Sequence, residues 1–127
     1  MQSDISSRKD IKLIITKFYD KLLGDEKMLP FFEDIVAQHQ LEHHIEIITD
    51  FWNDILFDTL TYHNNVMQKH LQKNAFVQFK LEHFELWVSY FFATIDANFQ
   101  GENAHQMKNR ASAIATVMKL KLNVYSN

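Results

Sequence analysis

The chain contains no cysteine. That absence excludes disulfides, iron–sulfur ligation and thiolate-bound zinc. Proline occurs once and glycine twice. A sandwich or barrel needs many tight turns, and such turns draw on these two residues. Their scarcity predicts long helices with few connections. No segment alternates at strand period, none repeats, and none is of low complexity. Charge of one sign is also scarce: the net charge is -3 and the basic residues are scattered. That excludes the electrostatic footprint of a nucleic-acid binder. Long apolar runs are missing too. The most apolar stretch, Leu86 to Ile95, is interrupted by Ser89 and is too short to span a bilayer. Met1-Gln2-Ser3-Asp4 carries no signal-peptide core. The expectation is a soluble, cytoplasmic protein that binds neither nucleic acid nor membrane.

What is present is a core. Hydrophobic residues make up 46% of the 127 positions, with 11 phenylalanines, so disorder is excluded. The length suits one domain, 1–127, that buries about two-thirds of its unfolded surface. Residues 1–6 read as a flexible or pre-helical start. Ser7, three before Asp10, reads as a capping-box-like helix start. Ile11, Ile14, Ile15, Phe18 and Leu22 then recur at helical spacing. Gly24 can end this helix in the left-handed conformation, and Pro30 suits the first turn of a short helix to about Ala37.

Leu41 to about Phe57 forms the next helix, with Ile45, Ile48, Trp52, Ile55 and Leu56 on its apolar face. Periodicity collapses between Asp58 and Val66, a loop, and Met67 to about Lys73 can form a short helix carrying His70. A long helix is predicted from roughly Phe76 to Phe99, with Phe84, Trp87, Val88, Phe91 and Ile95 inward. Gly101 breaks it. The last helix runs from Glu102 to about Asn123, with Met107, Ala111, Ile114, Met118 and Leu122 inward. Helices this uneven do not make a symmetric four-helix bundle.

The candidate functional residues are individually ordinary. His70 in a loop-helix region, or His44 beside His43, is by itself most often a surface histidine. Tyr19 and Trp87 are by themselves most often core rings with a polar atom at the rim. His44, however, begins a helix whose inner face continues through Ile48 and Phe51, so its imidazole points toward the core. A buried imidazole needs a partner for each nitrogen.

The ordered set is more informative. Phe18-Tyr19 lies on the first helix, His44 precedes Phe51-Trp52, and Tyr62 precedes Met67 and His70. His83-Phe84-Glu85-Leu86-Trp87 follows, then Arg110-Ala111-Ser112-Ala113-Ile114-Ala115 with Met118. From about Ile11 to Leu122 this order resembles the group III truncated haemoglobins.

The resemblance implies an all-α truncated globin fold, a two-over-two helical sandwich around haem b, that is, iron protoporphyrin IX. His70 matches the proximal iron ligand. Tyr19, His44 and Trp87 match the polar residues of the opposite, distal face. Phe51 and Trp52 match haem-contacting aromatics, and Phe18, Ile48, Tyr62 and Met67 complete the expected cofactor-binding set. No catalytic residue is assigned.

The implied partners are dioxygen, carbon monoxide and nitric oxide, together with an unidentified reductase if the protein detoxifies nitric oxide or peroxide. Ligand binding and dioxygenase- or peroxidase-type turnover both stay open, as does oligomeric state. Departures from the family pattern sit around the ligand. His63-Asn64-Asn65-Val66-Met67 replaces a loop that often holds glycine and proline, with Asn64 or Asn65 able to take left-handed geometry. The loop before Tyr62 lacks the glycines seen in many relatives. The stretch from His70 to Trp87 is long, which makes His83 a rival ligand. The alternative readings are a non-haem helical metal protein using His39 and His43, four apart on a possible helix, and an interaction module in which every aromatic is core.

Overall fold

The structure, a computed structural model, describes residues 2–57 and 80–121. Five α-helices order this part of the chain: α1 (Arg8–Leu23), α2 (Glu33–Ala37), α3 (Leu41–Phe57), α4 (Leu81–Asn98) and α5 (Glu102–Lys121). A 3-10 turn, Leu29–Phe31, precedes α2. There is no strand among the described residues, so the all-α expectation holds. α1 packs on α3, α4 packs on α5, and the two pairs meet chiefly where α1 lies against α4. No helix among the described residues is long and apolar enough to cross a membrane.

The predicted stripe of α1 is the centre of the core. Ile11, Ile14, Ile15, Phe18 and Leu22 are all buried, and Tyr19 joins them. The helix starts at Ser7, whose backbone is extended (φ -156°, ψ 167°), but its hydroxyl makes no cap bond. Asp10 instead reaches back one residue further. Its Oδ2 accepts from the Ser6 amide at 2.9 Å and the Ser6 hydroxyl at 3.1 Å. The carboxylate in the first turn also complements the helix dipole.

Two turns differ from expectation. Gly24 ends α1 as expected, but it is right-handed (φ -87°, ψ -3°) rather than left-handed. Asp25 Oδ1 accepts from the Lys27 and Met28 amides at 2.7 and 3.2 Å, an Asx turn that diverts the chain. The segment after Pro30 is two elements rather than one helix, with Phe32 between the 3-10 turn and α2. The left-handed residue is His39 (φ 56°). The Gln40 amide bonds to the Ile35 carbonyl at 2.9 Å and the His39 amide to the Val36 carbonyl at 3.1 Å. This is a Schellman stop for α2 with histidine where glycine is usual.

α3 has the predicted bounds and buries Ile45, Ile48, Thr49 and Trp52. Ile55 and Leu56 are half-buried against the core. α4 starts at Leu81 rather than near Phe76, since Lys80 is extended (φ -98°, ψ 174°). The stop is His83, whose Nδ1 accepts the Lys80 amide at 2.8 Å. Phe84, Phe91 and Ile95 of α4 are buried, with Trp87 and Val88 half-buried. Met107, Ala111 and Met118 of α5 are buried as expected and Ile114 is half-buried; Ala104 and Ala115 add to that face.

Residues 2–6 are pre-helical, and their backbone is tied to the far end of the chain. Asp4 Oδ2 and Oδ1 accept the Asn103 and Ala104 amides, each at 2.9 Å, and so cap α5. The Gln100 amide bonds to the Ser3 carbonyl at 2.9 Å, and Asn103 Nδ2 to the Ile5 carbonyl at 2.8 Å. Ile5 is 1% exposed. Gly101, at φ +149°, makes room for this strap: a Cβ there would stand 2.4 Å from Asp4 Cγ.

Candidate functional site

Phe18 is the hub of an aromatic wall. Its ring meets Tyr19, Trp87 and Phe91 edge-on, with centroids 5.5, 5.7 and 4.9 Å away. Phe91 lies parallel to Trp87 at 5.7 Å and stacks on Trp52 at 5.3 Å. Phe51 continues the wall beyond Trp52 at 5.5 Å, and Phe32 closes it beside Tyr19 at 5.6 Å. Edge-on and offset-stacked rings are the favoured pairings, since a ring's positive rim meets another's negative face. The wall draws on α1, α3, α4 and the residue between the 3-10 turn and α2, so its shape depends on how they pack.

Set into this apolar wall is one polar pair. Tyr19 Oη and His44 Nε2 are 2.7 Å apart, and their rings meet edge-on at 5.2 Å. Tyr19 is buried while His44 is half-buried, so the pair runs from the core toward the surface. Burial pushes the Tyr19 phenol above its ordinary range, which keeps its proton in place. The imidazole tautomer sets the direction of the bond. Either Tyr19 donates to Nε2, or Nε2–H donates to the phenol oxygen and the Tyr19 proton is left to point elsewhere. In the second arrangement the Tyr19 proton lies within the apolar wall.

The α1–α3 contact that brings these two side chains together is laced on its outer side by ion pairs. Arg8 reaches Glu46 at 2.7 Å and Asp50 at 2.8 Å, and Lys12 reaches Glu46 at 2.5 Å. Lys12 and Arg8 together hold the Glu46 carboxyl below its ordinary value. The groups are half-exposed, so these pairs add little stability, but they fix the side on which α3 faces α1.

Of the residues singled out in the sequence, Phe18, Tyr19, His44, Phe51, Trp52 and Trp87 lie along this one wall. Ile48, one turn after His44 on α3, is buried in the same core. Tyr62, Met67 and His70 lie outside the described residues, and with them the expected iron ligand. Two wall residues were not assigned to the site. Phe91 appeared only as part of an apolar stripe, and Phe32 sits where local pattern is weak.

The rival ligands read differently once placed. His83 accepts the Lys80 amide through Nδ1, and its ring packs edge-on to Phe31 at 4.8 Å; it is a helix-start residue. His39 and His43 do not share a helix, because His39 is the left-handed residue before α3. Both are exposed. Among the described residues no three histidine, aspartate or glutamate side chains converge as a metal site would require.

Two stacked helix pairs enclosing an aromatic wall, with a tyrosine–histidine pair set into it, make this a truncated globin fold. The crystal structure of the group III truncated hemoglobin from Campylobacter jejuni superposes on the chain with a TM-score of 0.81 at 22% identity, covering 96% of this chain and 95% of that one. In sequence the chain is similar to the group 3 truncated hemoglobin ctb of Campylobacter jejuni subsp. jejuni serotype O:2, with 25% identity over 118 residues, 91% of each protein. No protein-family model matches. The resemblance to group III truncated haemoglobins thus holds over nearly the whole chain, in both sequence and fold.

Proposed function

We propose that this protein binds haem b and holds dioxygen, carbon monoxide or nitric oxide at its iron, with His70 as the protein ligand and Tyr19, His44 and Trp87 facing the gas. The observation that carries the reading is the Tyr19–His44 pair at 2.7 Å within an aromatic wall. A buried phenol paired with a half-buried imidazole suits a small polar ligand in apolar surroundings.

The described residues fit the cofactor. Phe51 and Trp87 offer half-covered ring surfaces suited to a flat macrocycle, backed from the core by Phe18 and Trp52. Phe51, Ile55 and Phe57 on α3 and Leu86, Trp87 and Val88 on α4 are only half-buried. These two helices bracket in sequence the segment that carries His70. Large apolar side chains left half-covered on both are what an apolar prosthetic group would finish burying.

Bound haem would supply an iron with one coordination position open to a diatomic gas. The chain's own contributions are then distinct. Tyr19 holds a proton-bearing hydroxyl whose ionisation burial suppresses, so it donates rather than repels. His44 takes or gives a hydrogen bond at that hydroxyl and thereby decides where the Tyr19 proton points. Trp87 brings a second N–H donor on α4. The rings of Phe18, Phe32 and Phe91 exclude water, which strengthens each of these bonds. A pocket that donates strongly retains its ligand, which suits oxidation chemistry on nitric oxide or peroxide, with a reductase, better than oxygen delivery.

Hemin titration into the purified chain tests the reading. The expected result is stoichiometric uptake with a Soret band that shifts on reduction under carbon monoxide, and His70→Ala removes the normal five-coordinate ferrous spectrum. A chain that melts cooperatively without hemin and ignores it supports the interaction-module alternative instead. If His83→Ala abolishes the ferrous spectrum and His70→Ala does not, the ligand assignment is wrong.

A further inference from the structure

The corner that joins α1 to α2 is held from outside. Asp25 begins it, and its carboxylate gathers three donors: the Lys27 amide at 2.7 Å, the Met28 amide at 3.2 Å and the hydroxyl of Tyr90. Tyr90 stands on α4, 65 residues along the chain. Two further contacts tie the same corner to the start of α4. The Phe31 ring meets His83 edge-on at 4.8 Å, and Lys27 Nζ lies 3.7 Å from Glu82.

What the corner carries is part of the site. Met28 is fully buried, and Phe32 is 4% exposed with its ring against Tyr19. The corner has little structure of its own to keep Phe32 there. It holds one 3-10 turn and leads into a five-residue helix, both below the length at which helices persist unaided. Its anchors therefore decide its position. Among them the Asp25–Tyr90 bond has a charged acceptor, the stronger kind of hydrogen bond. The Tyr90 hydroxyl holds the Asp25 carboxyl below its ordinary value, and the same bond raises the Tyr90 phenol. The bond persists across the neutral range.

We propose that Asp25 and Tyr90 form a latch that keeps the 25–32 corner closed on α4, and through Phe32 keeps water from Tyr19. They are positioning residues for the Tyr19–His44 pair. The bearing of this on ligand binding rests on the haem-pocket reading, whereas the latch itself does not. Opening the corner admits water to the Tyr19 ring and lets its hydroxyl ionise more easily, because burial is what raises it.

The test uses the full chain with 13C-labelled tyrosine, the Tyr19 signal being identified by its loss in Tyr19→Phe. Tyr90→Phe removes a single oxygen. It should speed hydrogen exchange at the Met28, Leu29, Phe31 and Phe32 amides and let Tyr19 titrate at lower pH. Amides of α5 from Met107 to Met118 should keep their protection. Asp25→Ala, which also deletes the Asx turn, should move both readouts further. Asp25→Asn keeps one acceptor oxygen for the Asx turn but loses the charged acceptor facing Tyr90, and should fall close to Tyr90→Phe. The latch is overturned if Tyr90→Phe leaves exchange and the Tyr19 titration unchanged, or if exchange rises equally in α5. If Asp25→Ala fails to fold, Tyr90→Phe carries the test alone. Hemin uptake is read in parallel. Latch responses without uptake defeat the haem reading and leave the latch standing, and uptake without latch responses does the reverse.

Discussion

Two junctions among the described residues handle polar side chains in different ways. At the α4–α5 corner they are paired with backbone. Asp4 serves the Asn103 and Ala104 amides, Ser3 takes the Gln100 amide, and Gly101 gives the strap its room. The result is a closed joint. At the α1–α3 junction Tyr19 and His44 are placed among rings and meet each other. That arrangement makes sense for a site that must offer a hydrogen bond to something that arrives. Polar side chains hold backbone in the first case, and in the second the proposed function gives them to recognition.

Substitutions on either side sharpen this contrast. The largest effect is expected at the closed joint. Gly101→Ala places a Cβ 2.4 to 2.7 Å from Asp4 atoms at φ +149°. Backbone strain there costs about 1–3 kcal/mol, and displacing the cap adds about 1 kcal/mol, read as a lowered denaturation midpoint with no specific change in the pocket. Tyr19→Phe should do the reverse, changing recognition more than stability. A hydrogen bond between a donor and a charge-bearing ligand is worth roughly 1.5–3 kcal/mol, so dioxygen release from the haem-loaded chain should speed about ten- to a hundredfold in stopped-flow traces. An unchanged rate would remove Tyr19 from the distal role.

Asp4→Ala should cost about 1 kcal/mol through the lost cap. Its pH dependence has a definite sign. Burial pushes the Asp4 carboxyl up, but the Asn103, Ala104 and Ile5 amides outweigh it and hold it below the ordinary aspartate value. The contribution is therefore present above the unfolded aspartate range and is lost as pH falls through the lower folded value. Urea titrations of parent and Asp4→Ala should converge in strong acid and separate toward neutral pH. The smallest effect is stabilising. His39 stands left-handed where glycine is favoured, and His39→Gly should raise stability by up to about 1 kcal/mol. A loss would mean that the His39 side chain has a role its exposure does not suggest.

The same contrast explains what was legible in the sequence. Helical stripes such as Ile11-Ile14-Ile15-Phe18-Leu22 reflect simple burial, so α1, α3 and α5 read clearly from periodicity. Most of their bounds were legible as well; what the pattern did not show was the chemistry of the stops. α2 ends on a left-handed histidine instead of a glycine, and Gly24 ends α1 while right-handed, with the Asp25 carboxylate turning the chain just after it. α4 starts through the His83 ring. Asp4 capping α5 is a contact across 99 residues, which no local window can contain. In the site, Tyr19, His44, Phe51, Trp52 and Trp87 were legible from their order. Phe32 and Phe91 were not, since their part in the wall comes from packing between elements. Tyr62, Met67 and His70 remain expectations from the sequence and the family likeness.

The account stands or falls on whether the aromatic wall and its tyrosine–histidine pair border a haem. Adding hemin to the purified chain and recording the ferrous carbon monoxide spectrum, together with the thermal midpoint, reads this directly. The expected result is one hemin per chain, a sharp Soret shift under carbon monoxide and a raised midpoint, because a ligand that binds the folded state alone stabilises it. A cooperative melt that hemin leaves unmoved, with no Soret band, would contradict it.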